Sequence, residues 1–470
     1  MSAPVFEELT GSEQAMLTAM WNQIQAKAFK NDLLDAYYDG HRAFQDLGIS
    51  IPPQMRQVRV ALGWPQKAVS MLARKHKFEG FTLDGSLDPF DLGETLERSA
   101  FTSELAMGIS AAYKQACSFL TVLPGDTQAG EPEVMVQARS ARWTTGIFDT
   151  RTRVLRAALA VTSTRSEPTD VKYVSTSVPT GFVLYFPDSI VQASRDSGVW
   201  RMARMANRTG RVLVEPLVYD PQLGRRFGRS RITREVRYLT DAAIRTLVRT
   251  ETSAEFFSSP QRWAVGTDPD AFEGVDRWTA TMGRILNLTL NEEGSAPTVG
   301  QFPQMSMDPH LSMYRQLAQN MCAAVNLPMS SVGIFGDNPA SAEAMQAAEY
   351  SLSDEAEYQW GIFRPALRRV AEDIVMVRDN LDVPPADSWK LDVNWTPARY
   401  VSPQAASDFI VKIAQAIPDA AGTTVGMRRA GFTNTEIKQM KTELTRSAAG
   451  GVLDRLAKLP DEADPEASEG

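Results

Sequence analysis

NLPMSSVGIFGDNPASAEAMQAAE, residues 326–349, joins two helical patterns through a proline-bounded loop and contains no basic residue. Upstream, Asp308 and Pro309 read as an N-cap and a first helical position. Leu311, Tyr314, Leu317, Ala318, Met321 and Val325 then recur with helical period. That helix must stop near Asn326, because Pro328 biases Leu327 away from the helical region. Downstream, Asn338 and Pro339 restart a helix, and Met345, Ala348, Leu352, Ala356, Phe363, Leu367, Val370 and Ile374 trace one face of a long one. Gly361 and Pro365 are expected to kink it.

Working outward, residues 12–38 read as a helix opened by Thr10 and Glu13 at capping-box spacing and carried by Met16, Met20 and Ile24. A second helical region runs from Leu92 to Cys117. From Glu133 to Tyr219 the period changes to that of strands: Val134 and Val136, then Leu155, Ala157, Leu159 and Val161, then Val183 and Tyr185. Turn signals at 179–181 and 207–210 separate them, predicting an antiparallel meander. Helix returns near Thr240 and ends near Pro260. Within 263–306, Ile285, Leu288 and Leu290 lead through Glu292, Glu293 and Gly294 to Thr298, Val299 and Phe302, which suggests a hairpin. A strand at Leu391 to Trp395 precedes a helix starting at Ser402 and Pro403, and another with a capping box at Thr433 and Glu436. The fold class is α+β, mainly α.

The composition sets independent bounds. A chain of 470 residues with 43% hydrophobic content can bury sizeable cores and predicts two or more compact units. The net charge of -8 disfavours a protein that grips nucleic acid by general basicity. Cys117 and Cys322 offer neither a disulfide framework nor zinc spacing, and Cys322 reads as a small buried hydrophobe. There is no leader-like N-terminal segment and no stretch long enough to span a bilayer, so synthesis and assembly in a cytoplasm are expected.

Catalytic chemistry is not apparent. The sequence holds no phosphate-binding glycine loop ending in Lys and Ser or Thr, no dinucleotide fingerprint and no nucleophile elbow. His41, His76 and His310 are isolated from one another, which favours structural over ligand or base roles. Asp354, Glu355 and Glu357 read as a solvated helix face. No enzyme activity and no cofactor are expected. From Arg201 to Arg237 there are ten arginines, no lysine and three acids. Ordinary surface and intersubunit pairing is the favoured reading of that run. Arg225, Arg226, Arg229 and Arg231 flank a glycine-rich turn and are candidates for contact with a neighbouring subunit or partner.

The order of helix, NLPMSSVGI loop, DNPASAEAMQAAE and long helix resembles the portal protein of tailed bacteriophages, particularly that of phages of actinobacteria. The resemblance is collinear over most of the chain. YYDGHR at 37–42 and LGWPQKAVSMLARKHKFEGF at 62–81 are similar to the opening of that family. GRVLVEPLVY at 210–219, FGRSRIT at 227–233 and SAEFFSSPQRWAVG at 253–266 follow in the family's order.

The resemblance implies a portal fold of wing, stem, clip and crown assembled as a ring, typically dodecameric, at one capsid vertex of the virion. Double-stranded DNA would pass through it during packaging and ejection. By this resemblance residues 1–235 and 341–433 form the wing with the long helix, 236–262 and 307–327 the stem, and 263–306 the clip. Residues 434–459 would form the crown, and 460–470 are a disordered acidic tail by composition. Residues 328–340 would be the channel loop, its candidate residues being Pro328, Met329, Ser330, Ser331, Gly333, Gly336, Asp337, Asn338, Pro339 and Ala340, with Ser341 and Glu343 following. No Lys or Arg occurs from Gln316 to Phe363, so an acidic wall that lets DNA slide is expected. Implied partners are the major capsid protein, the terminase packaging motor, head-tail connector (adaptor) proteins and a scaffolding protein, with no membrane. The alternatives are another virion connector or capsid protein, disfavoured by the order of stem, loop and long helix, and a DNA-processing enzyme such as the packaging motor, disfavoured by the missing nucleotide loop.

Overall fold

Helix α1, Gly11–Tyr38, begins where the sequence places it. The Thr10 hydroxyl accepts from the Glu13 amide at 3.3 Å, while the Glu13 carboxylate accepts from the Thr10 amide at 2.8 Å. This computed structural model describes residues 2–41, 60–168, 175–257, 262–266, 294, 296–301, 306–334, 342–399, 402–420 and 422–456.

Helix α2, Trp64–Ala73, leads into strand β1, Phe78–Thr82. The helical region foreseen from Leu92 to Cys117 is two helices, α3 (Leu92–Arg98) and α4 (Phe101–Gln115). Ala100 breaks them with a left-handed backbone at φ 50°, and periodicity alone does not register a single reversed residue. Strands β2 (Cys117–Pro124), β3 (Val134–Ser140), β4 (Thr144–Phe148), β5 (Leu155–Pro168), β6 (Ser175–Tyr185), β7 (Ser189–Asp196), β8 (Val199–Ala206) and β9 (Val214–Val218) follow. They form two antiparallel sheets, one ordered β3-β2-β9 and one a five-stranded meander from β4 to β8.

The run LRAALAV in β5 is apolar on both faces because both faces are covered. Ala157, Leu159 and Val161 pack with Phe182, Leu184 and Val191 against Leu17, Met20, Trp21 and Ile24 of α1. The alternate residues Ala158, Ala160, Val183 and Tyr185 belong to the main core with α4, β2 and β9. Helix α1 therefore spans two cores, its first half on the meander and Leu34 and Tyr37 in the main core. Burying each such leucine contributes about 1.5–3 kcal/mol.

Helix α5, Arg234–Phe257, and helix α6, Asp308–Ala324, pack side by side. The Ser253 hydroxyl near the end of α5 lies 3.5 Å from His310 Nε2 in the first turn of α6, so the pair is antiparallel. Met307, not Asp308, is the N-cap residue of α6, one position earlier than the sequence suggests. Between them β10 (Arg262–Val265) pairs with β11 (Thr298–Gln301), Ala264 opposite Val299. The pairing expected of Thr298 and Val299 with Ile285 to Leu290 lies outside the described residues.

Helix α7, Ala342–Arg378, is 37 residues long, about 55 Å at the helical rise. It runs unbroken through Gly361 and Pro365. Leu352, Ala356, Phe363, Leu367, Val370 and Ile374 are fully buried, whereas Ala348, the second residue of the foreseen stripe, is exposed. Strand β12, Asp392–Trp395, pairs with β1, and Trp395 stacks on Trp360 of α7 at 5.9 Å. Helix α8 (Pro403–Ala416) is capped by Ser402, α9 is Thr424–Arg429, and α10 (Asn434–Leu456) opens on the Thr433 and Glu436 capping box. Among the described residues no helix is long and apolar enough to cross a membrane.

Candidate functional site

The loop after α6 is set by its first residues. Asn326 adopts a left-handed backbone at φ 52°, and the Leu327 amide donates back to the Cys322 carbonyl at 3.0 Å. Leu327 and Pro328 are buried, and Met329–Val332 make a single tight turn closed by Gly333 at φ 81°. The Ile334 amide reaches the Met329 carbonyl at 3.2 Å, and Val332 and Ile334 rest on the main core. The Cys322 thiol donates to the Pro328 carbonyl at 3.8 Å, and burial pushes its pKa up, so it is a packing residue. Of the foreseen loop residues, Pro328, Met329, Ser330, Ser331 and Gly333 lie in this turn. Gly336, Asp337, Asn338, Pro339, Ala340 and Ser341 lie outside the described residues. Glu343 falls in the first turn of α7.

Arg231 holds the base of the loop. Its Nε donates to the Ala68 carbonyl of α2 at 2.6 Å, and a terminal nitrogen donates to the Val325 carbonyl at the end of α6. The other terminal nitrogen donates to Glu355 of α7 and, at 3.2 Å, to the Tyr219 hydroxyl. Glu355 also accepts from Tyr219 at 2.8 Å and from Asn326 Nδ2 at 3.0 Å. The sequence pattern groups Arg231 with three arginines that could reach a neighbour; it is instead 3% exposed, and its donors are spent inside the chain. Glu355 likewise leaves the solvated face assigned to it. A guanidinium fork suits such a junction because it can face several oxygens in one plane.

The acidic wall read from the sequence is largely neutralised from other elements. Lys75 pairs with Glu349 at 2.8 Å, Arg231 with Glu355, and Arg399 with Glu357 at 3.4 Å and Asp354 at 3.7 Å. The Lys67 ammonium of α2 donates to the Ser331 carbonyl in the loop itself. These cations stand far away in sequence, so a window lacking Lys and Arg says little about local charge. Asp337 and the Glu343 side chain lie outside what the structure describes.

Arg225, Arg226 and Arg229 are exposed on the turn between β9 and α5. The turn is held by Phe227, whose ring lies 4.9 Å from Phe148 and 5.9 Å from Phe119. Gly228 at φ 66° passes so close to the Tyr219 carbonyl that a Cβ would sit 2.0 Å from its oxygen. Arg229 pairs with Asp220, and Arg226 lies over the Phe148 ring at 5.7 Å.

The titratable groups packed near the loop are held by burial and by hydrogen bonds within the chain. His76 is buried, its Nδ1 donating to the Leu72 carbonyl at 3.1 Å and its Nε2 accepting from the Tyr113 hydroxyl at 2.9 Å. Burial lowers its pKa to about 4. Cys117 is buried and its thiol is pushed up to about 12 by desolvation. Among the described residues no group of three or more His, Cys, Asp or Glu could hold a metal ion.

An antiparallel helix pair, a hydrogen-bonded loop at its end and a long helix returning across the core thus meet at one junction. Residues 18–449 match the family described as phage portal protein, SPP1 Gp6-like, and the chain belongs to that family. It is 27% identical to the portal protein of Mycobacterium phage L5, covering 99% of this chain and 95% of that one. The portal protein of Mycobacterium phage D29 is also 27% identical, with coverage of 99% and 95%. A solved chain from the neck of a native GTA particle, computed with C12 symmetry, aligns over 78% of this chain and 89% of its own at 13% identity and a TM-score of 0.40. The protein is thus a structural, non-enzymatic virion component, a ring at the portal vertex of the capsid that serves DNA packaging and the head-tail junction.

Proposed function

We propose that residues 328–340 line the narrowest part of the DNA channel and that the helix pair at 236–262 and 307–327 forms the stem leading to it. Residues 263–306 form the clip that meets the packaging motor and later the connector proteins. The wing, 1–235 with 341–433, faces the capsid protein and any scaffolding protein, and 434–459 make the crown. The ring holds twelve subunits, as the resemblance to dodecameric portals suggests. What supports the reading is Arg231: one buried guanidinium ties the stem end at Val325 to α2 and to the long helix at Glu355. A loop so anchored at its root can move at its tip while the ring wall stays in place.

The loop passes DNA without gripping it. Phosphate binding needs accessible Lys or Arg, and Lys67, the one cation found against the described part of the loop, is engaged by Ser331. The test replaces Asn338 and Ser341 with Lys in separate variants and measures packaging in an assembly-competent system. Slower packaging with normal assembly supports the constriction. Unchanged rates in both variants place it elsewhere.

A further inference from the structure

A cavity of about 570 Å³ opens between α1, the start of β4 and the turn carrying the exposed arginines. Lys27, Lys30, Arg225, Arg226 and Arg229 are in its lining, and among the described residues no Asp or Glu is. Among the described residues Arg229 alone of the five has a carboxylate partner, Asp220. Thr144 forms part of the lining, and its hydroxyl is buried without a hydrogen-bond partner among the described residues. Burial, followed by the charges of Lys27, Arg237 and Arg225, holds the Lys30 ammonium below the usual lysine range, as expected where cations gather uncompensated. The turn is pre-shaped by Phe227 and by the Arg225 amide donating to the Gln222 carbonyl at 2.8 Å.

We propose that this cavity receives an acidic segment of the neighbouring subunit, whose carboxylates meet Lys27, Lys30 and Arg225 and accept a hydrogen bond from Thr144. The inference rests on ring assembly. In a ring each copy meets the next through two different surfaces, so a concave patch at that interface finds its complement elsewhere on the same sequence. A chain of net charge -8 supplies acidic surface in excess, and this cavity gathers the minority charge. A duplex is too broad to enter a pocket of this size, whereas one or two carboxylate side chains fit.

The test uses the full chain. A Lys27→Gln, Lys30→Gln, Arg225→Gln variant changes residues at the surface rim of the cavity and removes no ion pair among the described residues, so its unassembled subunit should melt as the wild type does. Light scattering should show assembly shifted to at least tenfold higher protein concentration, with less sensitivity to added salt. A photo-crosslinking residue in place of Leu223, which is 92% exposed beside the cavity, should join two copies at an acid-rich peptide. Mixed isotope-labelled and unlabelled chains show whether the link crosses subunits. Assembly of the triple variant at wild-type concentration and salt dependence overturns the proposal, as do cross-links confined to one chain within intact rings. Failure of the wild type to form rings at all counts against ring assembly itself and is seen before any variant is made.

Discussion

The guanidinium of Arg231 and the carboxylate of Glu355, 124 residues apart, form an ion pair at the junction of α2, the end of α6 and α7. Neither residue stands in the loop they support, yet together they fix where it begins.

Removing one partner strands the other. Arg231→Ala leaves Glu355 without its counter-charge and the Val325 and Ala68 carbonyls without the guanidinium, and is expected to cost about 3–5 kcal/mol, the range for breaking a buried pair. Urea denaturation of the unassembled subunit measures it. The double variant Arg231→Met, Glu355→Leu should recover part of that loss, because it removes both charges. A loss as large as that of Arg231→Ala would show that the carbonyl contacts, and not the ion pair, set the cost.

His76 makes stability depend on acidity. Its folded pKa of about 4 lies below the usual 6.5, so the unfolded chain binds the proton more tightly. The stability from keeping this imidazole neutral is present above pH 6.5 and is lost as pH falls toward 4, amounting to roughly 3 kcal/mol at 1.36 kcal/mol per unit. His76→Phe should flatten the urea midpoint between pH 7 and 5. An equal slope in both proteins would assign the acid sensitivity to other groups.

Asp373 should act with the opposite sign. It is fully buried in α7 with both oxygens lacking hydrogen bonds, and is the third carboxylate beside Glu215 and Glu372 facing two cations, Arg211 and Arg369. Burial holds its pKa well above the ordinary value, so its contribution is full below about 3.9, the unfolded carboxylate range, and declines as pH rises through the folded value. Asp373→Asn should be at least as stable as wild type at pH 8, its advantage shrinking as pH falls. Thermal melts at pH 8 and 6 check the trend, and an advantage that grows toward acid would reverse the assignment.

Lys67→Met tests how the loop is held. The ammonium contact with Ser331 is exposed, so global stability should change by less than about 1 kcal/mol. Amide exchange at residues 329–334 should nevertheless quicken by about two- to fivefold, since the same small energy acts on a local opening.

Truncation after Leu459 removes Asp461, Glu462, Asp464, Glu466 and Glu469 together with the uncharged residues between them. Ring mass by light scattering should fall only by the deleted residues. Loss of rings would make the tail a structural part of the assembly.

The sequence by itself determined those features that depend on neighbours a few residues apart. The caps at Thr10, Ser402 and Thr433, the alternation in β5, the stop at Pro328 and the buried stripe of α7 from Leu352 onward are local, each following from a turn of helix or a pleat of strand, whereas the turn expected at 179–181 lies inside β6. Collinear blocks also disclosed the family. Tertiary structure alone decided which charges meet. Lys75 with Glu349, Arg231 with Glu355 and Lys67 with Ser331 join positions 274, 124 and 264 residues apart, and no period in the chain links such distances. A window without Lys or Arg therefore read as an acidic wall, although the fold brings cations to it from α2, the turn before α5 and the segment after β12. Arg231 shows the same limit, because burial of a charge is set by what packs around it, and a run of arginines in sequence does not say which one the core will enclose.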